Sequence, residues 1–216
     1  VSGSATYSSR TDSIDGSDVK RGEEWRGHLF SEGRWDIDDK WRAGMDLEVA
    51  SDDQYLRQYD FSSKDVLENE LYIERFSGRD YAVGRLLAFQ DVRIREEQSD
   101  QPNALPEIEI SMVGQPNQIL GGRLALDLSV LQLERLGNDP DMSRIVGQGG
   151  WQGRYITDFG LVNTVQASVR GDMYYARDRE VAVPDSGRSG EGSETRLFPR
   201  MHAVSAYPLV KPLEAA

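Results

Sequence analysis

The feature that most constrains this chain is a period of two in hydrophobicity, sustained over unusually long segments. From Glu24 to Ile37 one parity reads Trp25, Gly27, Leu29, Ser31, Gly33, Trp35 and Ile37. The other reads Glu24, Arg26, His28, Phe30, Glu32, Arg34 and Asp36. Successive strand side chains point to opposite faces, so this is a strand with one apolar and one charged face. The pattern recurs. Ala43, Met45, Leu47 and Val49 alternate with Arg42, Gly44, Asp46 and Glu48, and Ile108, Ile110 and Met112 with Glu107, Glu109 and Ser111. Leu124, Leu126, Leu128 and Val130 alternate with Arg123, Ala125, Asp127 and Ser129. Val165, Ala167, Val169, Met173 and Tyr175 alternate with Thr164, Gln166, Ser168, Arg170, Asp172 and Tyr174. About ten strands are predicted on this pattern, over 1–9, 24–37, 41–50, 68–77, 81–94, 105–113, 119–135, 144–157, 160–177 and 195–208. Several exceed the ~5–6 residues of a soluble-protein strand and reach the ~9–11 that cross a bilayer at a tilt.

The connections alternate in length. Segments 10–23, 51–67, 95–104, 136–143 and 178–194 are long and polar, whereas 38–40, 78–80, 114–118 and 158–159 are tight turns. Asp38-Asp39-Lys40, Gly78-Arg79-Asp80 and Pro116-Asn117 carry turn chemistry. Short turns on one rim and long loops on the other are the habit of outer-membrane barrels; a Greek-key sandwich has no reason to alternate so regularly. Trp25, Trp35, Trp41, Tyr81, Trp151, Tyr155 and Tyr175 fall near strand ends, where two aromatic girdles would place them. In 51–67, the stretch Asp52–Tyr59 predicts one or two helical turns with Ser51 as the cap. Low complexity is confined to 186–193.

Composition narrows the function. Lys+Arg 25 against Asp+Glu 37 gives a net charge of −12, which argues against a nucleic-acid binder, since that needs cations to displace counterions. There is no cysteine, hence no disulfide, thiolate zinc site or thiol nucleophile. No apolar run approaches a membrane helix, which excludes a helical membrane protein but not a barrel, whose alternating strands average to polar. The chain opens Val1-Ser2-Gly3-Ser4 without a Met or a leader pattern, and the expectation is an internal segment of a longer protein.

Catalytic constellations are absent from the pattern. Gly147-Gln148-Gly149-Gly150 lacks the Lys-Ser/Thr pair and the helix of a phosphate loop, and predicts bulges or a close backbone approach. Asp36, Asp38 and Asp39 lack calcium-loop spacing, and Asn138-Asp139-Pro140-Asp141 reads as a loop. His28 reads as a solvated or hydrogen-bonded side chain. His202 has no partner nameable from spacing, and the pair Glu107 and Glu109 is explained by a water-facing strand. No catalytic, metal or cofactor site is assigned, and no cofactor is expected. The functional candidates are the two faces. Arg26, Arg34, Arg42, Asp46, Glu48, Glu70, Glu74, Glu107, Glu109, Arg123, Asp127, Arg170 and Asp172 are read as lumen-facing. Trp25, Leu29, Trp35, Met45, Leu47, Leu124, Leu126, Leu128, Val165 and Val169 are read as lipid-facing. The fold class is all-β: an antiparallel transmembrane β-barrel segment.

Ordered segments also carry a resemblance. Lys40-Trp41-Arg42-Ala43-Gly44-Met45-Asp46-Leu47, Ser51 to Asp60 and Asn69-Glu70-Leu71-Tyr72-Ile73-Glu74-Arg75-Phe76 are among them. So are Gly121-Gly122-Arg123, Arg196-Leu197-Phe198-Pro199 and Tyr207-Pro208-Leu209-Val210. Together they resemble the barrel of the lipopolysaccharide-assembly outer-membrane proteins, the LptD (OstA/Imp) family, over most of 24–210. The resemblance implies a large barrel in the outer membrane of a Gram-negative bacterium. In that family a lipoprotein, LptE, plugs the barrel, and a periplasmic bridge feeds lipopolysaccharide to an N-terminal jellyroll. Residues 1–216 are then expected to be part of the barrel domain, without the jellyroll or the rest of the barrel, inserting lipopolysaccharide into the outer leaflet. The luminal arginines would touch anionic headgroups or the plug, or pair with neighbouring acids. A porin-like or substrate-specific uptake channel and a soluble periplasmic carbohydrate-binding β-sandwich remain open; a phospholipase or protease barrel is weaker, for want of a Ser/His/Asp set.

Overall fold

A computed structural model describes residues 1–9, 11–14, 17–20, 22–52, 54–93, 102–135, 141–180 and 189–209. Alternation becomes one antiparallel sheet. Its strands are β1 (Ser2–Ser8), β4 (Glu24–Asp36), β5 (Trp41–Ala50), β6 (Val66–Ser77), β7 (Asp80–Asp91), β8 (Asn103–Val113), β9 (Gly122–Glu134), β10 (Met142–Ile156), β11 (Val162–Glu180) and β12 (Ser189–Ala206). They lie in that order, each hydrogen-bonded to the next. From β4 onward every strand of the sheet has at least the 10 residues of β5, and β11 reaches 19. A separate hairpin, β2 (Thr11–Ile14) with β3 (Ser17–Lys20), occupies the segment expected to be a plain loop. The long strands also extend into the segment read as the loop 178–194: β11 and β12 pair as far as Glu180↔Ser189. The expected loop at 95–104 lies largely outside the described residues, as do Asn138, Asp139 and Pro140, residues 186–188 and Val210.

Turn chemistry sets the short rim. Asp38 Oδ1 accepts from the N–H groups of Lys40 and Trp41, both at 2.7 Å, and these two bonds hold its carboxyl below the usual range. Gly78 takes φ +64° in the two-residue loop between Ser77 and Asp80, a conformation that costs a Cβ-bearing residue. The expected strand 119–135 begins later, at Gly122. Leu120 and Gly121 take φ 50° and 70°, and the turn closes through Gln118 N–H to Gly122 O at 2.9 Å. Apolar character at Ile119 and Leu120 had mimicked strand continuation.

The opposite rim is irregular. The β5–β6 ladder stops at Asp46↔Glu70. Beyond it the Asn69 amide takes over, donating to Glu48 O and accepting from Glu48 N–H, both at 3.0 Å. Gln90 does the same for Ala50 at 2.7 and 3.1 Å. Backbone groups that lose a strand partner need another. β8 shifts register against both neighbours around Pro106, which has no N–H to give a ladder.

The compact core is small. Ala50, Tyr55, Leu56, Leu67 and Val92 are buried together, with Phe30 packed against them. It sits where the segment after β5 folds back over β4 through α1 (Tyr55–Gln58). Elsewhere the described residues form a single layer.

Candidate functional site

Residues directly opposed across a ladder share a face, so the register assigns faces without ambiguity. The thirteen charged candidates lie on one face: Arg34 and Arg42 through Gly44 and Asp36, Asp46 opposite Glu32, Glu48 opposite Phe30, Glu70 and Glu74 opposite Asp46 and Arg42, Glu107 and Glu109 opposite Arg85 and Val83. Asp127 and Arg123 follow, opposite Gln148 and Gln152, then Arg170 and Asp172, opposite Gln148 and Val146. Arg26 shares that parity on β4. Trp25, Leu29, Trp35, Met45, Leu47, Leu124, Leu126, Leu128, Val165 and Val169 lie on the other face.

The apolar face has no second layer over it among the described residues. Leu29, Leu71, Ile73, Leu126, Val169 and Met173 are all exposed there. Aromatic rings cover glycines where the backbone would otherwise be bare. A Cβ on Gly33 would stand 2.7 Å from the Trp35 ring, and one on Gly153 2.5 Å from Trp151. Trp151 and Tyr155 also donate to the carbonyls of Ile119 and Leu120, at 2.8 and 2.7 Å. The Gly147–Gly150 run is not a bulge: β10 keeps continuous register with both neighbours there. Gly149 instead helps open a shallow depression of about 760 Å³ between Leu126 and Val169.

The charged face is a lattice of ion pairs. Arg42 reaches Asp36 at 2.8 Å and Glu74 at 3.1 Å, and Tyr81 donates to Glu74 at 3.2 Å. Lys64 pairs with Glu48. Arg85 faces Glu107 at 3.2 Å, Glu70 at 3.5 Å and Glu109 at 4.0 Å. Asp46 stands between Glu32 and Glu70, an arrangement that needs water. Over β4–β8 carboxylates outnumber guanidiniums. Over the described side chains of β9–β12 the balance reverses, with Arg123, Arg144, Arg154, Arg170, Arg196 and Arg200 against Asp127, Asp172 and Glu194. Among the described residues no three carboxylate or histidine side chains converge as a metal site.

Arg26 is the exception to a hydrated face. It is 1% exposed, covered by the segment that carries α1. Its Nε and Nη2 donate to the two Asp52 oxygens at 2.8 and 2.7 Å, and Nη1 donates to Gln58 at 2.7 Å. Gln54, rather than Ser51, stands at the N-cap of α1, and the Asp52 side chain meets the start of the helix: Oδ1 accepts from the N–H groups of Gln54 and Tyr55 at 3.1 and 2.9 Å. Ser51 supports it, donating to Asp52 at 2.9 Å and accepting from Gly27 N–H at 3.0 Å. Burial would raise the Asp52 carboxyl, but Arg26 and Ser51 outweigh it and hold the group below its ordinary range. His28 is hydrogen-bonded to Ser4 at 3.0 Å and packed against Phe30 and Phe61. His202 lies opposite Gln166. Spacing along one strand carried no sign of the Arg26–Asp52 pair, because the partners meet only when the loop folds back.

No curated protein matches the chain. Residues 24–215 match the family model for LptD, LPS transport system D. That match begins at the first residue of β4 and covers the ion-paired face, the bare apolar face and the strap over Arg26: the chain belongs to the LptD family.

Proposed function

We propose that this sheet is a section of the wall of a closed outer-membrane β-barrel that inserts lipopolysaccharide into the outer leaflet. Family membership makes the chain a component of LPS transport. The observation that carries the finer reading is the contrast between the faces of strands long enough to cross a bilayer. One is apolar and bare; the other holds ion pairs that need water. The charged face lines a hydrated interior that gives a sugar–phosphate headgroup its route. The apolar face meets acyl chains, with Trp25, Trp35, Trp41 and Tyr155 at headgroup level. Arg75, on the outer face at the short-turn rim, lies 5.9 Å from the Trp41 ring, where its charge reaches the interface.

Sheet edges cannot stay open in lipid, because an unpaired N–H or C=O costs several kcal/mol there. The free edges of β1 and β12 therefore pair with further strands of the same wall. LptE plugging the interior and a periplasmic bridge delivering lipopolysaccharide belong to this reading. No covalent bond is made or broken by the wall. The test is repression of the gene that encodes this chain. Lipopolysaccharide at the cell surface falls and accumulates in inner compartments; unchanged surface lipopolysaccharide overturns the proposal, and conductance by the unplugged protein would then favour an uptake channel.

A further inference from the structure

Where the acidic and basic halves of the charged face meet, the structure forms a trough of about 450 Å³. Its floor is short because Ser111 and Ser129 stand on neighbouring strands, between Tyr81 on one side and Gln148 on the other. Its two walls differ in charge balance. On the β7–β8 side one guanidinium, Arg85, serves three carboxylates, and Glu109 is the most distant of them at 4.0 Å. Glu109 therefore keeps acceptor capacity. On the β10–β11 side one carboxylate, Asp172, serves two guanidiniums, Arg144 at 3.8 Å and Arg170 at 3.3 Å. Each guanidinium carries five donors, so most of theirs remain unused, and both side chains are more than two-fifths exposed.

We infer that this trough is a binding site for a phosphorylated saccharide. The phosphate sits on Arg144 and Arg170, and the sugar hydroxyls donate to Glu109 and Asp127. Guanidinium suits phosphate because its planar fork makes paired charge-assisted bonds. Carboxylates suit hydroxyls because, when ionised, they only accept. A simple anion would use one wall and be repelled by the other. A neutral sugar would leave the arginines unused. The inference rests on the lipopolysaccharide reading and deepens it: the trough is a stopping point for the phosphorylated headgroup along the hydrated face.

The test is photocrosslinking from a probe residue at Gln148, in the trough, and from one at Glu32, on the same face but outside it. The full protein in its membrane is used. The probes are lipopolysaccharide, its dephosphorylated form and inorganic phosphate as a competitor. Lipopolysaccharide adducts at Gln148 are expected to fall at least about tenfold in Arg144→Gln/Arg170→Gln, since losing even one charge-assisted hydrogen bond is worth that much. They are expected to rise several-fold in Asp172→Asn, which frees both guanidiniums without removing them. Dephosphorylation is expected to abolish them, and Arg79→Gln, in the exposed turn between β6 and β7, to leave them unchanged. Because Asp172→Asn moves the signal upward, misfolding cannot imitate the result. Adducts at Glu32 with none at Gln148, or adducts insensitive to the arginines, overturn the site while leaving the transport route standing. Loss of adducts at both positions counts against the route itself. Full protection of Gln148 by inorganic phosphate overturns the saccharide part and leaves a free-anion site.

Discussion

Arg26 and Asp52 show at the scale of a residue how a buried charge is kept. Removing one partner of such a pair leaves the other buried without compensation, which costs about 3–5 kcal/mol. Arg26→Ala is therefore expected to release the α1 segment, seen as new protease cleavage between residues 51 and 61 and as a lower melting temperature. Replacing both partners with apolar residues of similar volume is expected to cost much less. The pair also sets a pH dependence. The folded Asp52 carboxyl lies below its ordinary value, so its contribution is complete above the usual carboxylate range near ~4 and is lost as pH falls through the depressed value. Cleavage of this segment by an acid-active protease is expected to begin only below that range; release in mild acid would contradict the pairing. On the opposite face, Leu126→Arg is expected to cost ~2–4 kcal/mol if the position lies at mid-bilayer. Asp127→Asn, which keeps an oxygen to accept the exposed bond from Ser111, should leave stability unchanged. Equal tolerance in urea unfolding would overturn the assignment of the faces.

At the scale of elements, strands were readable because their signal is local. A side chain's face follows from parity alone, so the sequence places every charged candidate and every apolar one on the faces the register shows. Boundaries were less readable. Ile119 and Leu120 continue the apolar pattern, yet the backbone turns through positive φ at Leu120 and Gly121. The amide bridges of Asn69 and Gln90 were invisible, because each replaces a ladder bond on a strand that sequence spacing does not align. Gly78 was readable as a turn glycine. Nothing lies within 4 Å of a Cβ placed there, so Gly78→Ala isolates the backbone term, about 1–2 kcal/mol. A denaturant midpoint unchanged by that substitution would show that the β6–β7 loop relaxes freely.

At the scale of the whole molecule, the described residues lack the second layer that lets a sheet live in water. Large contiguous apolar surfaces on soluble monomers are rare, and two strand edges stand open. Expressed by itself, the 216-residue chain is expected to aggregate or to remain unfolded in detergent. A soluble monomer that melts cooperatively, by sedimentation and calorimetry, would refute the barrel-wall reading.

The sequence by itself determined the class of fold, the strand count in the sheet and the sorting of side chains onto two faces. All three depend on a two-residue period that neighbours along the chain enforce. Tertiary structure alone decided which charges pair and which are covered. Asp52 closes over Arg26 because a loop folds back across two strands. Arg144 and Arg170 share Asp172 because β10 and β11 align in one register. Such partners lie tens of residues apart or on different strands, and a one-residue slip would exchange them, so no local pattern can carry them.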